Sequence, residues 1–310
     1  MTTGAAAAPP TEVSRRASAA VLALSLLGIS FAAPLVRLSG NSGLVVAVGR
    51  LGISVVLVLG LAVASGGWRQ WLRLGRTDLL VALGAGAMLA LHFWSWNSSL
   101  ALTSVAASVV LVNLQPAFVA LLSALWLGEA PSRAQRVGIG LAVAGAVVVG
   151  AVDAGAGGPG GARALLGDLL ALGGAVTAAL YYVAGRRLRQ TLDLWPYVGL
   201  VYTACFVVLV ALALGRGEPL LPQPRREWLI FAALAAGPMM LGHTGMNWAL
   251  KHLPAYVVNL TVLGEPVGAT LVAAALPGIR EVPGAHTLVG GALILTGAVL
   301  AAHEAARPRR

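Results

Sequence analysis

Residues 76–97 read RTDLLVALGAGAMLALHFWSWN, and residues 226–247 read REWLIFAALAAGPMMLGHTGMN. The two stretches align when the second is moved back by 150 positions, so that Asn97 falls on Asn247. Each is about as long as a helix needs to be to cross a membrane. A hydrophobic pattern of membrane length that occurs twice is typical of carriers whose site lies between two related bundles.

The composition indicates that most of this chain is surrounded by lipid. Hydrophobic residues make up 58% of the 310 residues and charged residues 10%, against about a quarter charged in a soluble domain. Ten stretches are apolar over roughly 20 residues, as a membrane-spanning helix requires. They lie near residues 18–36, 43–64, 79–97, 104–127, 135–152, 167–185, 194–214, 228–248, 255–276 and 286–303.

These stretches predict an all-α integral membrane protein with ten transmembrane helices. We expect a first five-helix repeat over residues 18–152 and a second over 167–303, joined by a Gly-rich linker at 153–166. A disordered cytoplasmic tail is expected over 1–17 and a basic cytoplasmic tail over 304–310. Because five is odd, the second repeat enters the membrane from the opposite side, which gives two inverted five-helix repeats.

The net charge of +10 indicates which side of the membrane the loops occupy, and not a nucleic-acid partner. The arginines are spread over the joints between spans and are not clustered in one segment. With the N-terminus inside, most basic residues fall in cytoplasmic segments, although the outer loop 215–227 carries three arginines. A single lysine among 21 basic residues, with abundant Ala and Gly, is typical of a GC-rich bacterial genome. We therefore expect a multi-pass protein of the bacterial cytoplasmic membrane with both termini in the cytoplasm.

Two pairs of sequence blocks resemble a known transporter family. The blocks LQPAFVALLSALWLGE at 114–129 and GIGLAVAG at 138–145 are similar to the end of an EamA domain. So are LGEPVGAT at 263–270 and GGALILTG at 290–297. Two such domains form the ten-span members of the drug/metabolite transporter superfamily, so the resemblance implies a carrier with this fold.

The resemblance covers about residues 21–149 and 167–301, and Arg50 matches an arginine common at that place in the family. Members of the family move amino acids, other metabolites and toxic compounds, so the resemblance does not identify the substrate. The chain departs from the pattern after the ninth span, where LPGIRE at 276–281 replaces the LGE of 127–129. We expect this loop to differ in shape.

Glu265 is the most informative side chain of the sequence. It lies near the middle of the ninth span, where an ionised carboxylate is costly and is expected to face the bundle interior or a wet cavity. One interpretation is that Glu265 binds a proton or a cationic part of the substrate. The other is a neutral, hydrogen-bonded glutamate that packs beside a kink. Gln115 occupies the equivalent place in the first repeat, so only one repeat carries an ionisable group there.

Prolines follow both of these positions and predict kinks in the middle of the membrane. Pro116 and Pro266 lack an N–H, which frees the carbonyls of Val112 and Val262 from their helical donors. Freed carbonyls at membrane depth occur where a cavity or a polar neighbour satisfies them, so the pair predicts the substrate chamber. Further helix kinks, without an equivalent in the other repeat, are expected at Pro34 and Pro238.

Arg50 places a charge about seven residues into the second span. One interpretation pairs Arg50 with Glu265 or with a substrate carboxylate. The other lets the side chain extend to the outer headgroups. Tyr202 is expected at the corresponding position of the second repeat, so the predicted site is asymmetric on this side as well.

Other polar and aromatic residues within the spans are candidates for lining the substrate path. They are His92, Trp94, Asn97, Asn113, Tyr181, Tyr182, His243, Asn247 and Asn259. The tryptophans at the end of the third span, Trp94 and Trp96, are most simply interfacial anchors, and the amides can also bridge helices. The sequence has no His-x-x-x-His pair and only one cysteine, Cys205, so we expect neither a metal nor a cofactor.

Together these features predict a secondary transporter that moves a small metabolite, such as an amino acid or a related amphipathic compound, by alternating access of two inverted repeats. The family resemblance favours an exporter, and coupling to protons or simple exchange both remain open. The alternative is a membrane-embedded enzyme acting on a lipid-linked substrate, which needs acids, histidines or a metal set clustered at one face. The expected partners are the small-molecule substrate and the lipid bilayer; the sequence leaves the oligomeric state open.

Overall fold

The computed structural model describes residues 15–129, 131–155, 158–279 and 284–305, and every regular element in these ranges is helical. The α-helices are α1 (Arg15–Ser30), α2 (Ala32–Leu38), α3 (Gly43–Ala64), α4 (Arg76–Ser99), α5 (Val105–Val112), α6 (Gln115–Trp126), α7 (Arg133–Gly155), α8 (Gly158–Leu188), α9 (Leu194–Gly215), α10 (Arg225–Leu234), α11 (Thr244–Ala249), α12 (Ala255–Leu260), α13 (Glu265–Ala275) and α14 (Ala285–Ala305). Two 3-10 segments cover Gly67–Arg73 and Thr261–Gly264, and a π-helix covers Ala235–His243.

The helix boundaries repeat with the same shift of 150 positions as the sequence. α4 ends at Ser99 and α11 ends at Ala249, while α6 begins at Gln115 and α13 begins at Glu265. The duplication in the hydrophobic pattern therefore extends to these helix ends.

Within the described residues, eight helical segments are long and apolar enough to cross a membrane. They are Arg16–Leu38, Gly43–Ala64, Arg76–Ser99, Ala107–Trp126, Gly161–Leu188, Leu194–Gly215, Arg225–Ala249 and Ala255–Ala275. The other two predicted spans coincide with α7 and α14, which are helices of 23 and 21 residues but are not among the eight. The structure thus supports a helical multi-pass membrane protein, and the number ten stays a prediction.

Equivalent helices of the two repeats pack against each other in opposite directions. In the α3–α9 pair, Gly52 lies next to Phe206 and Gly199 lies next to Leu59, so residue numbers rise along one helix and fall along the other. This is the geometry that an inverted pair of repeats requires.

The α7–α14 pair shows the same arrangement at closer range. A Cβ atom added to Gly145 would lie 2.5 Å from the carbonyl oxygen of Gly290, and one added to Gly297 would lie even closer to that of Gly138. No side chain fits between these backbones, so glycine is required at Gly145 and Gly297. Small residues allow such close packing where no hydrophobic force drives helices together.

The segment predicted as a flexible linker, 153–166, is helical where the structure describes it. α7 continues to Gly155 and α8 begins at Gly158. Arg163 donates a hydrogen bond to the carbonyl of Ala101 (3.2 Å), and such tertiary contacts outweigh the weak helix propensity of glycine. The limits of the two repeats stay a prediction, and residues 1–14 and 306–310 of the predicted tails lie outside the described residues.

The described start of the loop after the ninth span differs from its counterpart, because Leu127 after α6 has right-handed helical dihedrals and Leu276 after α13 is extended. α6 is followed by Gly128 and α13 by Gly278, 150 positions later, and both have positive φ (68° and 127°). Residues 280–283, the rest of the divergent loop, lie outside the described residues.

Candidate functional site

The fourth and ninth predicted spans are each broken into two helices rather than bent. α5 ends at Val112 and α6 begins at Gln115, while a 3-10 turn separates α12 from α13. Pro116 and Pro266 occupy the first turns of α6 and α13, where a missing N–H costs no helical hydrogen bond. The prolines therefore start new helices in the middle of each span.

A small cavity lies beside these two breaks. It is lined by Ile29, Ala32, His92, Trp96, Val112, Gln115, Tyr182, His243, Met246, Val262 and Glu265. Val112 and Val262, which lie four residues before the two prolines, both line the cavity. The cavity volume of about 30 Å³ leaves room for one or two water molecules, because one water molecule needs roughly 10–15 Å³. A metabolite fits only after the surrounding helices separate.

Hydrogen bonds between the two broken spans cross from one repeat to the other. The Nδ2 of Asn113 donates to Oε2 of Glu265 (3.4 Å), and it also donates to the carbonyl of Val109 (2.7 Å). The Nε2 of Gln115 donates to Oδ1 of Asn259. An amide of each repeat thus contacts the glutamate or the amide of the other repeat, so a movement of one repeat against the other changes the surroundings of Glu265.

Four rings form the opposite wall of the cavity. His92 stacks on Trp96 with ring centres 6.0 Å apart and planes 7° apart, and His243 stacks on Tyr182 at 6.3 Å and 15°. The Nδ1 of His92 lies 2.9 Å from the carbonyl oxygen of Gly174. A carbonyl only accepts, so Nδ1 carries the hydrogen and Nε2 is an acceptor whenever the ring is neutral.

Trp96 offers an unused donor at this wall. Its Nε1 is buried and has no hydrogen-bond partner in the described part of the chain, although buried polar groups are normally paired. The side chain is only 4% exposed, so it is not the interfacial anchor that the sequence suggested. An acceptor on a bound substrate would satisfy this N–H.

Arg50 takes neither of the protein positions that the sequence suggested. Its side chain is fully buried, so it does not extend to the headgroups, and no ion pair joins it to Glu265 among the described residues. The guanidinium lies 3.7 Å from the ring centre of Phe93, and Nη2 contacts the sulfur of Met239 at 3.3 Å. Nε and Nη1 have no hydrogen-bond partner within the ranges that the structure describes, so Arg50 retains two donors that an anionic group can use.

Two candidates, Trp94 and Asn97, lie outside the cavity wall near the C-terminal end of α4. The Nδ2 of Asn97 donates to the carbonyl of Gly43 (3.0 Å) and ties α4 to the start of α3. Trp94 is half-buried with the guanidinium of Arg216 5.6 Å from its ring centre. Both contacts are structural, so these two residues do not line the cavity in this conformation.

Tyr202 and Asn247 belong to a separate layer of buried polar groups, which we call the tyrosine layer: Tyr181, Tyr202, Thr244 and Asn247. The Nδ2 of Asn247 donates to the hydroxyl of Tyr181 (2.5 Å) and lies 3.5 Å from that of Tyr202, which bonds Thr244 at 2.9 Å. The layer connects α8, α9 and α11 next to the cavity.

The remaining prolines interrupt their helices differently. The π-helix Ala235–His243 contains Pro238 and carries His243 to the cavity, because its wider turn changes the direction of later side chains. In the first span the chain is interrupted at Phe31, three residues before Pro34 in α2. Ile29 and Ala32, on the two sides of that interruption, line the cavity.

Sequence reasoning missed Trp96 and Met246 as lining residues. Trp96 follows His92 by four positions and Met246 follows His243 by three, so helical spacing places each pair on one face. This helical spacing was the feature of the sequence from which Trp96 and Met246 could have been identified as lining residues. Among the described residues, no three His, Cys, Asp or Glu side chains are grouped so that they could hold a metal ion.

Comparison with known proteins identifies the class of this molecule. The EamA-like transporter family matches residues 16–151 and again 165–302. The chain therefore belongs to the EamA-like transporter family, and it carries two copies of that domain.

A solved structure described only as the crystal structure of a protein is similar over nearly the whole molecule. Its TM-score is 0.71 at 24% sequence identity, and the match covers 94% of this chain and 98% of that chain. At this identity the likeness shows the fold alone. Among curated proteins, none matches the chain.

Proposed function

We propose that the protein is a secondary transporter that exports a small metabolite, such as an amino acid or a related amphipathic compound, by alternating access. The observation that carries this proposal is the cavity between the two repeats, where the breaks of both repeats and Glu265 meet. Discontinuous helices at the junction of inverted repeats are where transporters bind substrates and coupling ions.

The small size of the cavity supports a mechanism with moving bundles. A volume of about 30 Å³ holds no metabolite, so the described conformation is a closed one. Equivalent helices of the two repeats run in opposite directions. Rocking one repeat against the other therefore opens the cavity to one side of the membrane, and rocking it in the reverse direction opens the cavity to the other side.

Glu265 is the group that we propose for coupling. Its carboxylate lies at 6% exposure and has one weak amide contact, from Asn113. An ionised carboxylate is costly in such surroundings unless a cation neutralises it. A proton and a cationic part of the substrate then compete for one carboxylate, which links their movements.

We further propose the bacterial cytoplasmic membrane as the location, with both termini in the cytoplasm and the repeats over 18–152 and 167–303. The distribution of arginines over the loops supports this orientation. An enzyme acting on a lipid-linked substrate is not favoured, because the polar groups of the cavity are enclosed within the bundle rather than open at one face.

The direct test is counterflow in sealed proteoliposomes loaded with candidate metabolites. Saturable uptake of a labelled metabolite driven by the same unlabelled metabolite inside is the expected result. Turnover of a lipid-linked compound without any net flux would refute the transporter and support the enzyme.

The role of Glu265 is tested by Glu265→Gln together with the exchange variant Glu265→Gln/Gln115→Glu. Glu265→Gln is expected to keep the fold but to lose the dependence of transport on a pH gradient. The exchange variant moves the acid to the equivalent place in the other repeat, next to Asn259, and should restore part of that dependence. Transport by Glu265→Gln with an unchanged pH profile would show that the acid is only a packing group.

A further inference from the structure

A second cavity, much larger than the central one, lies where three loops meet at the ends of the helices. The loops follow α3, α8 and α11, and the cavity volume is about 590 Å³. We call it the loop cavity. Its lining residues are Ser65, Gly66, Gly67, Gln70, Arg189, Asp193, Leu194, Trp195, Pro196, Trp248, Lys251 and His252.

Three basic side chains line the loop cavity, those of Arg189, Lys251 and His252. Arg189 is only 2% exposed; its Nε donates to the carbonyl of Asn247 (2.9 Å) and its Nη1 to that of Leu192. Its Nη2 has no protein partner among the described residues. Lys251 and His252 stand at the mouth, and the ring of His252 lies 4.7 Å from that of Trp248.

The single acid of the loop cavity is already engaged. One oxygen of Asp193 lies 2.9 Å from Nζ of Lys251 and the other accepts from Nε2 of Gln70 at 2.7 Å. Hydrogen bonds from Lys251 and from Gln70 lower the pKa of Asp193, so it stays ionised. Arg189 and Lys251 carry two positive charges and Asp193 carries one negative charge, so the loop cavity has a net positive charge.

Two tryptophans place the loop cavity at the level of lipid headgroups. Trp195 and Trp248 both line it and are half-buried, and tryptophan is enriched at membrane–water interfaces. Basic pockets between transmembrane helices at this level bind phosphate-bearing headgroups. A phosphate offers several oxygens, so one group can accept from Arg189, Lys251 and His252 at the same time.

We propose that the loop cavity binds a phosphate ester, held by Arg189, Lys251 and His252. The group can belong to an anionic phospholipid or to a soluble phosphorylated compound. The site is separate from the central cavity and does not depend on the transported substrate, so its test measures binding and not transport.

The test uses the purified full-length protein and titrates three probes by calorimetry: dihexanoylphosphatidylglycerol, sn-glycerol 1-phosphate and dihexanoylglycerol, which lacks phosphate. The variants are Lys251→Gln, Asp193→Asn and the control Arg187→Gln. Arg187 pairs with Asp78 at 3.2 Å on the same side of the protein but does not line the loop cavity. It therefore controls for a general loss of positive charge.

Lys251→Gln is expected to weaken phosphate-ester binding about fivefold, the equivalent of the ~1 kcal/mol that a basic residue contributes near an anionic lipid. Asp193→Asn releases Lys251 from its carboxylate and is expected to tighten binding by a similar factor. A gain in affinity cannot result from misfolding, so the pair keeps the test decisive. Arg187→Gln should leave the affinity unchanged.

The probes distinguish the two sources of the phosphate. Binding of the short-chain lipid but not of glycerol phosphate, with the expected response of the variants, supports a lipid ligand. Comparable binding of glycerol phosphate with the same response supports a soluble ligand. No binding of either, equal binding of dihexanoylglycerol, or affinities that neither Lys251→Gln nor Asp193→Asn changes would overturn the proposal.

Discussion

Gly84 and Gly86 lie two residues apart in α4, and the structure predicts opposite outcomes when each is changed to alanine. A Cβ atom at Gly86 would lie 2.5 Å from the Cβ of Ala204 and 2.7 Å from the carbonyl oxygen of Val201, both in α9. A Cβ atom at Gly84 would meet nothing within 4 Å. The two substitutions change the helix propensity of α4 equally, so their difference isolates the packing between α4 and α9.

The size of the effect follows from the missing space. Carbon atoms in contact are normally about 3.5–4.0 Å apart, so Gly86→Ala has to push α4 and α9 apart by roughly 1 Å. Such overpacking costs about 1–3 kcal/mol. At 1.4 kcal/mol for each factor of ten, the open form of this interface should be roughly 5- to 150-fold more populated than in Gly84→Ala.

The single cysteine of the chain reports on this interface. Cys205 is fully buried, and its backbone nitrogen lies 3.0 Å from the Cβ position of Gly86. Labelling of Cys205 by a thiol reagent therefore requires local opening. We expect Gly86→Ala to label faster than Gly84→Ala by the factor above, while Gly84→Ala labels like the unchanged protein. Equal labelling rates in the two variants would refute the contact between α4 and α9.

Two other outcomes concern buried and loop charges. Arg50→Met removes a buried charge with two donors that have no partner among the described residues, so the unfolding temperature in detergent should stay the same or rise. Transport should fall about tenfold or more, because a hydrogen bond to a charged group contributes about 1.5 kcal/mol or more. A lower unfolding temperature with full transport would contradict this. Burial lowers the pKa of His252, and so do the nearby positive charges of Arg189, Lys251 and Arg186. The ring of His252 is therefore neutral at pH 7 and gains a proton only in more acidic solution. Dihexanoylphosphatidylglycerol should therefore bind more tightly as the pH falls from about 8 to about 5.5, a range in which its own phosphodiester does not titrate. His252→Gln should abolish this pH dependence. A pH dependence that persists in the variant would assign it to another group.

Much of the fold could be predicted from the sequence because it depends on properties of single positions. A stretch of apolar residues of membrane length is helical in lipid, where backbone groups find no other partner. The repetition after 150 positions carries the same information, and the structure repeats the helix ends at Ser99 and Ala249 accordingly. The Gly-rich linker at 153–166 stays a prediction: α7 ends at Gly155 and α8 begins at Gly158 within this range, and glycine content alone records only a local preference.

The candidate site could be predicted only in part. The sequence placed Glu265 and the two prolines in the middle of their spans, and these residues do stand at the breaks beside the cavity. It could not identify the partner of Glu265, which is Asn113 and not Arg50. That choice depends on how two helices from different repeats are rotated against each other, and no single position in the sequence records it.

The sequence by itself determined a duplicated, helical, membrane-embedded chain with an acid near the middle of one span, because hydrophobicity, length and spacing can be read along one dimension. Only the tertiary structure decided which glycine of each close pair touches a neighbouring helix: Gly86 packs against α9, while Gly84 faces open space. It also decided that Arg50 stacks on Phe93 and that three separate loops meet at Arg189 and Lys251. The physical reason is that contacts form between surfaces, and which surface a residue presents depends on the packing of helices that are far apart in the chain.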